Sequence, residues 1–540
     1  MKQQIQYFLK RQYPGIVFDV SYPPEGFGDY STNIAFLLAK SRSIDISIYR
    51  NIDLVAEEVI EKLKNKFSAE FEKIETAKNG FINFYLAKEY LLKGLIGLIG
   101  PISPIGPIGP IGPKRINLEF VSANPTGPLT LGNARSAAFG DALASILEKT
   151  GHKVTREYYI NDIGNQVDLL AESVRRRIRQ LEGEQVDFSA QLYQGDYIVG
   201  LAKQAKKEKI PQERLKEFAV EKNLDEIKKS LANFGVKFDV WFRESTLISP
   251  IGRISPIQDV LNYLESSGLA YKKDGALWFK GTEFGLDKDV VLIKSNGQGT
   301  YLLSDFAYAK NKLSRNFNIS IYILGADHHD DVKRLKAGIR ALGLPEEKFV
   351  FLLHQLVALK KGDDVLRMAK RKGIYVSLDD LLGQIPKDVA RYFFLEKSLD
   401  THLDFDLVLA KEQSSKNPVF YIQYAFARIN SVFSKSPIGS GLIGPISPIG
   451  LIGAPEELAL IRHLVRFPEI IFEISQNYQV HHLPQYAFEL ANRFHKFYET
   501  RKIISEDEKL TQARLGLVKA VQNVLGEGLR LMGLSAPEKM

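Results

Sequence analysis

The run from Arg115 to Ile160 constrains the fold of this chain more than any other. Arg115 to Val121 alternates apolar and polar residues as a strand does, Ala134 to Lys149 carries apolar residues at helical spacing, and Val154 to Ile160 reads as a second strand. Strand, helix and strand in that order make one βαβ unit. Val290 to Lys294, Ile321 to Leu324 and Phe349 to Leu353 are further strand candidates with helix candidates between them. From about Val389 to Met540 the apolar spacing is mostly helical, as in Tyr486 to Tyr498, and points to a C-terminal helical bundle. The first 93 residues, where Gly26, Gly28 and Asp29 precede the apolar run Ile34 to Ala39, form a separate small α/β candidate.

A chain of 540 residues exceeds what one hydrophobic core organises, so two to four domains are expected. Three stretches built from Pro, Ile, Gly, Ser and Leu divide it: Gly94 to Pro113, Ile248 to Ile257 and Ser436 to Gly453. In the first, Gly recurs at every third position from Gly94 to Gly112 except at Ser103. A collagen-like helix needs three chains and long runs, so the stretch reads as a surface linker of extended, Pro-rich character with exposed Ile and no chemistry. The expected division is a small domain over 1–93, a linker over 94–113, an α/β domain over 114–388 with an insert at 248–257, and a helical domain over 389–540 with an insert at 436–453. A net charge of +8 suits a polyanionic partner without demanding one, and the absence of Cys excludes disulfides and thiolate metal sites. Met1 to Gln12 has no basic-then-apolar signal region and no apolar span reaches membrane length, so the expected compartment is the cytoplasm, away from any membrane.

Glu119 to Asp141 reads EFVSANPTGPLTLGNARSAAFGD: a strand ends in a Pro/Gly loop and a helix begins near Asn133. A helix N-terminus after a strand of an open parallel sheet offers free N–H groups and positive dipole at the ligand crevice, which suits phosphate. Taken alone such a loop is only a connector. A second, basic loop holds Arg367, Met368, Lys370 and Arg371 after Lys360, Lys361 and the turn-prone Gly362, Asp363 and Asp364, and Ser377 to Asp380 reads as a capping box opening the next helix. Alone it is a solvated surface. Asp327 to Asp331 is rich in His and Asp, but consecutive residues leaving a strand cannot all face one ion, so no metal site is assigned. The run Arg175 to Arg179 reads as a solvated helix face.

Asn124 to Asp141 resembles the ATP-binding signature of class I aminoacyl-tRNA synthetases in the arginyl family's form, and the basic loop resembles that class's Lys-Met-Ser-Lys-Ser loop. REYYINDIGNQ from Arg156, FGVKFDVWFRES from Phe234, the stretch from Asp400 to Ile429, and FGDYSTNIAFLLAK and NGFINFYL near the N-terminus are similar to the same family, so the likeness covers most of the chain outside the three inserts. The resemblance implies a Rossmann-like catalytic domain, a small N-terminal α/β domain touching the tRNA elbow, and a helical anticodon-binding bundle. It implies ATP contacts from Pro125, Gly127, Thr130, Gly132, Asn133, Met368, Lys370 and Arg371, with Thr130, Asn133, Arg367 and Lys370 serving the chemistry. It implies arginine contacts from Glu119, Ser122, Asn124, Tyr301, Asp305 and His328, although Asp305 by itself reads as a helix N-cap. Tyr421, Tyr424, Arg428, Asn492 and Tyr498 are the implied tRNA contacts, although each alone reads as core packing. The expected partners are tRNA(Arg), L-arginine and ATP carried with Mg2+, with no tightly bound cofactor and a monomeric chain. Where the family has His-Ile-Gly-His this chain has Thr130, Leu131, Gly132 and Asn133. The hydroxyl and amide can still donate to phosphate or ribose, but no imidazolium is available. Two alternatives therefore stand beside an arginine-tRNA ligase: a tRNA-binding relative without catalysis, and a synthetase for another amino acid, against which Asp305 and Tyr301 argue.

Overall fold

The computed structural model describes residues 1–44, 49–77, 80–102, 105, 112–189, 191–248, 255–361, 364–366, 376–436 and 448–540. Its centre is a five-stranded sheet in the spatial order Phe349–His354, Ile319–Gly325, Arg115–Glu119, Lys153–Ile160, Val240–Arg243. Every neighbouring pair is parallel, so all five carboxyl ends share one edge. The first strand lies in the middle. The chain adds strands outward on one side as far as Val240–Arg243 and then crosses to the other side at Ile319. The order therefore reverses between Arg115–Glu119 and Ile319–Gly325, and such a switch point opens a crevice at the carboxyl ends where ligands bind.

The βαβ unit is present as read. Its helix, Leu131–Lys149, buries Ala134, Ala137, Ala138, Ala142 and Ala144, small residues that let it lie close to the sheet. At Gly140 no side chain fits: a Cβ there would stand 2.3 Å from the Phe120 ring. Val290–Ile293 is a strand, but it belongs to a separate antiparallel sheet with Ala276–Phe279 and Ala270–Lys273. Val240–Arg243, not singled out as a strand in the sequence, closes the edge of the central sheet beside Lys153–Ile160.

The small N-terminal domain is a four-stranded antiparallel sheet, ordered Val20–Ser21, Tyr30–Thr32, Ile82–Leu86, Phe71–Thr76, backed by the helices Lys2–Gln12, Ile34–Ser41 and Tyr49–Lys66. The C-terminal bundle comprises the helices Pro418–Lys435, Pro455–Val465, Phe467–Asn477, His482–Thr500 and Glu508–Leu531. The mostly helical region expected from Val389 contains one strand, Leu403–Asp406, which pairs parallel with Val357–Lys361 and so ties residues past 388 to the α/β part of the chain.

The repeat stretches depart from the reading as extended surface linkers. Gly94 to Ile99 forms the end of a helix, Lys88–Ile99, that buries Leu91, Leu95, Leu98 and Ile99. It packs against the bundle helices Pro455–Val465 and Glu508–Leu531. Those four residues recur at i, i+4, i+7 and i+8, so burying the stripe outweighs the helix cost of two glycines. Ile105, Ile449 and Ile452 are also buried rather than exposed. The second insert ends in a helix start, with Ser255 capping Pro256–Ser266. No helix among the described residues is long and apolar enough to cross a membrane.

Candidate active site

The loop after the central strand is held by neighbours on every side. Val121 and Ser122 adopt positive φ, +68° and +36°. For a β-branched valine this is a strained conformation that costs of order 1–3 kcal/mol and persists only where the surroundings impose it. The Ser136 hydroxyl accepts from the Val121 N–H (3.0 Å), and the Ser122 hydroxyl donates to Glu119 Oε1 (3.0 Å) while accepting from the Tyr159 N–H (3.1 Å). Further along, Tyr158 donates to the Ala123 carbonyl (2.7 Å), the Asn223 amide to that of Pro125 (2.9 Å) and Tyr197 to that of Thr126 (2.7 Å). Gly127 has φ +153°, and a Cβ there would meet the Tyr197 ring at 2.9 Å. A loop pinned at this many points presents its backbone to a ligand without first paying to order it.

The signature helix begins at Leu131, two residues before the expected start, because Thr130 is its N-cap. Thr130 and Asn133 form a reciprocal capping box. The Asn133 N–H donates to Thr130 Oγ1 (3.4 Å), while the Thr130 N–H and hydroxyl donate to Asn133 Oδ1 (3.0 and 2.8 Å). The Thr130 hydroxyl hydrogen, expected to face a phosphate, is spent on Asn133. The Asn133 amide nitrogen meets no acceptor among the described residues. The segment leaving the basic loop docks beside this cap: the Leu378 N–H donates to the Leu129 carbonyl (2.9 Å), and Thr130 bridges Ser377. The expected capping box at Ser377 and Asp380 is formed. Arg367, Met368, Lys370 and Arg371 lie outside the described residues.

An acidic pocket lies across the same edge. Asp305 is not a cap, because its helix, Tyr301–Ser314, starts four residues earlier behind Thr300. Among the described residues its carboxylate has no hydrogen bond or ion pair. Burial, reinforced by the charges of Glu244, Glu119 and Asp331, pushes its pKa up to about 8. Glu244, which follows the edge strand, is buried, and burial with a smaller push from Asp162 raises its pKa to about 7. Tyr301 stands half-exposed at the head of its helix, its hydroxyl 3.4 Å from where a Cβ on Gly164 would lie. Glu119 is different. Lys312, fully buried, reaches it at 2.6 Å from above the Tyr322 ring, so this carboxylate arrives already paired. Beneath it the Glu157 carboxylate accepts from Arg315 twice (2.5 and 2.8 Å), from Asn117 (3.0 Å) and from Tyr308. The Asn124 amide donates to Gln166 (2.8 Å). His328 is exposed, caps the helix His329–Ala341, and lies 3.1 Å from Asp331 through Nδ1.

Of the residues chosen from sequence, Glu119, Ser122 and Asn124 gather on the pinned loop and Tyr301 and Asp305 on one helix facing it. Glu244, Lys312, Gln166 and His354 were not singled out. The signal for Glu244 was its place directly after a strand, visible only if Val240–Arg243 is recognised as one.

In the bundle, Tyr421, Tyr424 and Arg428 on one helix meet Asn492 and Tyr498 on another. The Tyr421 hydroxyl donates to Asn492 Oδ1 (3.4 Å). The Arg428 guanidinium lies over the Tyr424 and Tyr498 rings (4.6 and 4.8 Å) and donates to the Tyr424 hydroxyl (2.9 Å). Both tyrosines are well exposed. Tyr424, Arg428, Asn492 and Tyr498 form one aromatic and cationic surface, while Tyr421 beside them also packs against the core. On the helix Asn165–Leu181, Arg175 and Arg176 pair with Glu172, and Arg179 pairs with Glu184, as a solvated face does.

A parallel sheet with its first strand central, a pinned Pro/Gly loop feeding a capped helix at the switch point, and a helical bundle appended to it define a class I aminoacyl-tRNA synthetase. Residues 111–406 match the family described as tRNA synthetases class I (R), catalytic domain, residues 1–86 match the arginyl tRNA synthetase N terminal domain, and residues 422–540 match the DALR anticodon binding domain. The chain is similar to an arginine–tRNA ligase of Carboxydothermus hydrogenoformans, 42% identical over 97% of this chain and 94% of that one. It is also similar to one of Oceanobacillus iheyensis, 40% identical over 98% and 95%. The arginyl-tRNA synthetase of Thermus thermophilus shares the fold, with a TM-score of 0.78 at 22% identity over 100% of this chain and 99% of that one. The chain belongs to the arginyl-tRNA synthetase family.

Proposed function

We propose that Asp305, unpaired among the described residues, and the buried Glu244 receive the guanidinium of arginine, with Tyr301 closing over it. The activity is that of an arginine–tRNA ligase, which spends ATP to join arginine to tRNA(Arg). A planar guanidinium presents five donors and is always charged, so it can bond both carboxylates and supply the countercharge that neither has among the described residues. The single observation that carries this reading is that the Asp305 carboxylate has no hydrogen bond or ion pair among the described residues, while neighbouring Glu119 has Lys312. Lysine, a point charge on a flexible stem, fills such a pair less well.

Arginine, with its carboxylate directed at the α-phosphate of ATP, attacks phosphorus and expels pyrophosphate to give arginyl-adenylate. The 2′-hydroxyl of the terminal adenosine of the tRNA then attacks the arginyl carbonyl and expels AMP. No side chain acts as nucleophile, so the rate comes from positioning and from stabilising developing charge. The N-terminus of the helix Leu131–Lys149 offers N–H groups to the phosphates, and Asn133 adds its amide nitrogen. Arg367, Lys370 and Arg371 offer cations, Met368 belongs to the same loop, and Mg2+ enters with ATP. Pro125, Gly127 and Gly132 let the nucleotide approach the backbone. Glu119, Ser122 and Asn124 frame the amino-acid end, and His328 borders it. Tyr421, Tyr424, Arg428, Asn492 and Tyr498 face the tRNA, where aromatic rings stack on unpaired bases and Arg meets phosphate. The chain acts as a monomer in the cytoplasm.

The test is charging of total tRNA with ATP and Mg2+, comparing arginine with lysine, for the parent and for Asp305→Ala. Truncating one side of a buried charge pair costs about 2–5 kcal/mol, so the variant is expected to lose roughly thirtyfold to several thousandfold in kcat/KM for arginine. A folded parent that binds tRNA but charges neither amino acid would refute the reading in favour of a tRNA-binding relative without catalysis, which the relatives' names do not support.

A further inference from the structure

The signature of this chain lacks both histidines of the family pattern, yet an imidazole stands beside it from another element. His354 ends the edge strand Phe349–His354, level with Gly325 on the neighbouring strand. Its Cε1 lies 3.9 Å from where a Cβ on Gly132 would be, so the ring abuts the one signature residue without a side chain. Its Nδ1 is buried and has no hydrogen-bond partner among the described residues. The strand end that carries it is fixed: Arg135, fully buried inside the signature helix, donates to the carbonyls of Gln355 (3.0 Å), Thr401 (2.9 Å) and Ser398 (2.7 Å). A rigid backbone thus presents a ring whose Nδ1 has no hydrogen-bond partner among the described residues, a costly state for a buried polar atom unless a ligand completes it.

Asp162 and Glu244 follow the strands on one side of Glu119, and His354 ends the outer strand on the other side, bordering Gly132 and the helix N-terminus, where the nucleotide belongs.

We propose that His354 binds the adenosine portion of ATP, its ring nitrogen hydrogen-bonding the nucleoside beside Gly132, and so replaces part of what the signature histidines provide. The inference rests on the proposed ligase reading and adds a residue that no signature motif contains. The triphosphate is the wrong partner, because it needs cations and open N–H groups, whereas this nitrogen is enclosed and its ring is neutral. Burial and the nearby Arg135 charge lower the His354 pKa to about 4, so the ring carries no proton charge in the working range. The groups that bear on its titration are Arg135 and His328, which lower it, and Asp327 and the Gln355 backbone, which raise it.

The experiment measures tRNA charging at saturating arginine for the parent, His354→Ala and His354→Gln, with adenosine and pyrophosphate as competing inhibitors. The expected result for His354→Ala is a rise in the KM for ATP of about tenfold, equivalent to about 1.4 kcal/mol, with the arginine KM within about twofold of the parent. Adenosine inhibition should weaken by the same factor while pyrophosphate inhibition holds. His354→Gln, which keeps a side-chain hydrogen-bonding group, should recover most of the ATP KM. In the parent the ATP KM should stay flat from pH 6 to pH 8. An unchanged ATP KM in His354→Ala overturns the proposal, as does weakened pyrophosphate inhibition, an ATP KM that improves with acidification, or an equal rise in both KM values. If the parent itself charges no arginine, the ligase reading has failed instead, and the two failures are told apart by that control.

Discussion

Arginine binding should release protons, and the amount follows from the two acids proposed to receive the guanidinium. With a pKa of about 8, Asp305 is about nine-tenths protonated at pH 7 before arginine arrives, and Glu244, at about 7, is about half protonated. A protonated carboxyl cannot form the charged, bidentate bond, so binding must expel the protons first. The KM for arginine should therefore rise by up to about tenfold per pH unit as pH falls from 8 to 7, and more steeply below 7 as the second acid is protonated. Calorimetry in two buffers of different ionisation enthalpy should count roughly one proton or more released per arginine at pH 7. The same shifts act on stability. Both acids have folded-state pKa values above their unfolded ones, so the folded chain holds more protons between about pH 4 and 8. Their contribution to stability is thus complete at low pH and lost as pH rises through 7 and 8. Arginine removes that loss by supplying the missing charge, so its stabilising shift in Tm should be larger at pH 8 than at pH 6. Asp305→Asn should flatten the pH dependence of whatever arginine binding remains. An arginine KM that is constant from pH 6 to 8.5 in the parent, with no buffer-dependent heat, would refute the assignment of these acids.

Two other consequences follow from paired groups. Lys312→Met strands the buried Glu119 carboxylate without its cation, and breaking such a pair costs about 3–5 kcal/mol, which urea unfolding should register; Lys312→Met combined with Glu119→Gln should recover part of it. Arg428→Ala removes the cation stacked between Tyr424 and Tyr498, so tRNA affinity should fall about tenfold and its salt slope by about one, with the KM for arginine unchanged. Filter binding across a salt series checks the last, and an unaltered slope would mean that Arg428 meets no phosphate.

Local chemistry was legible along the chain wherever neighbouring residues decide the outcome. The βαβ unit follows from alternation and helical spacing within 46 consecutive positions, Arg115 to Ile160, and the Ser377 cap needs only the acid three residues on. The same local logic misjudged Gly94 to Ile99. Gly and Pro propensities favour a loose linker, but two bundle helices more than 350 residues away bury the Leu stripe and hold it helical. The reading of Asp305 taken alone as a helix cap fails for the converse reason: its helix extends back to Tyr301, and a propensity argument places boundaries poorly.

The sequence by itself marked the candidate parts, a Pro/Gly loop between a strand and a helix, a basic run, an acid in TYLLSDFAY and tyrosines at helical spacing, because each is written in a few adjacent residues. Only the tertiary structure decided what each part is free to do. Lys312 occupies Glu119 across 193 positions and leaves Asp305 open, and Glu244 and His354 enter the site from strands distant in sequence. Thr130 and Asn133 are turned toward each other. Whether a polar group is already satisfied depends on neighbours brought together by parallel strands and their crossovers. Desolvation of charge, which sets the pKa values of about 7 and 8, has no counterpart in an unfolded chain.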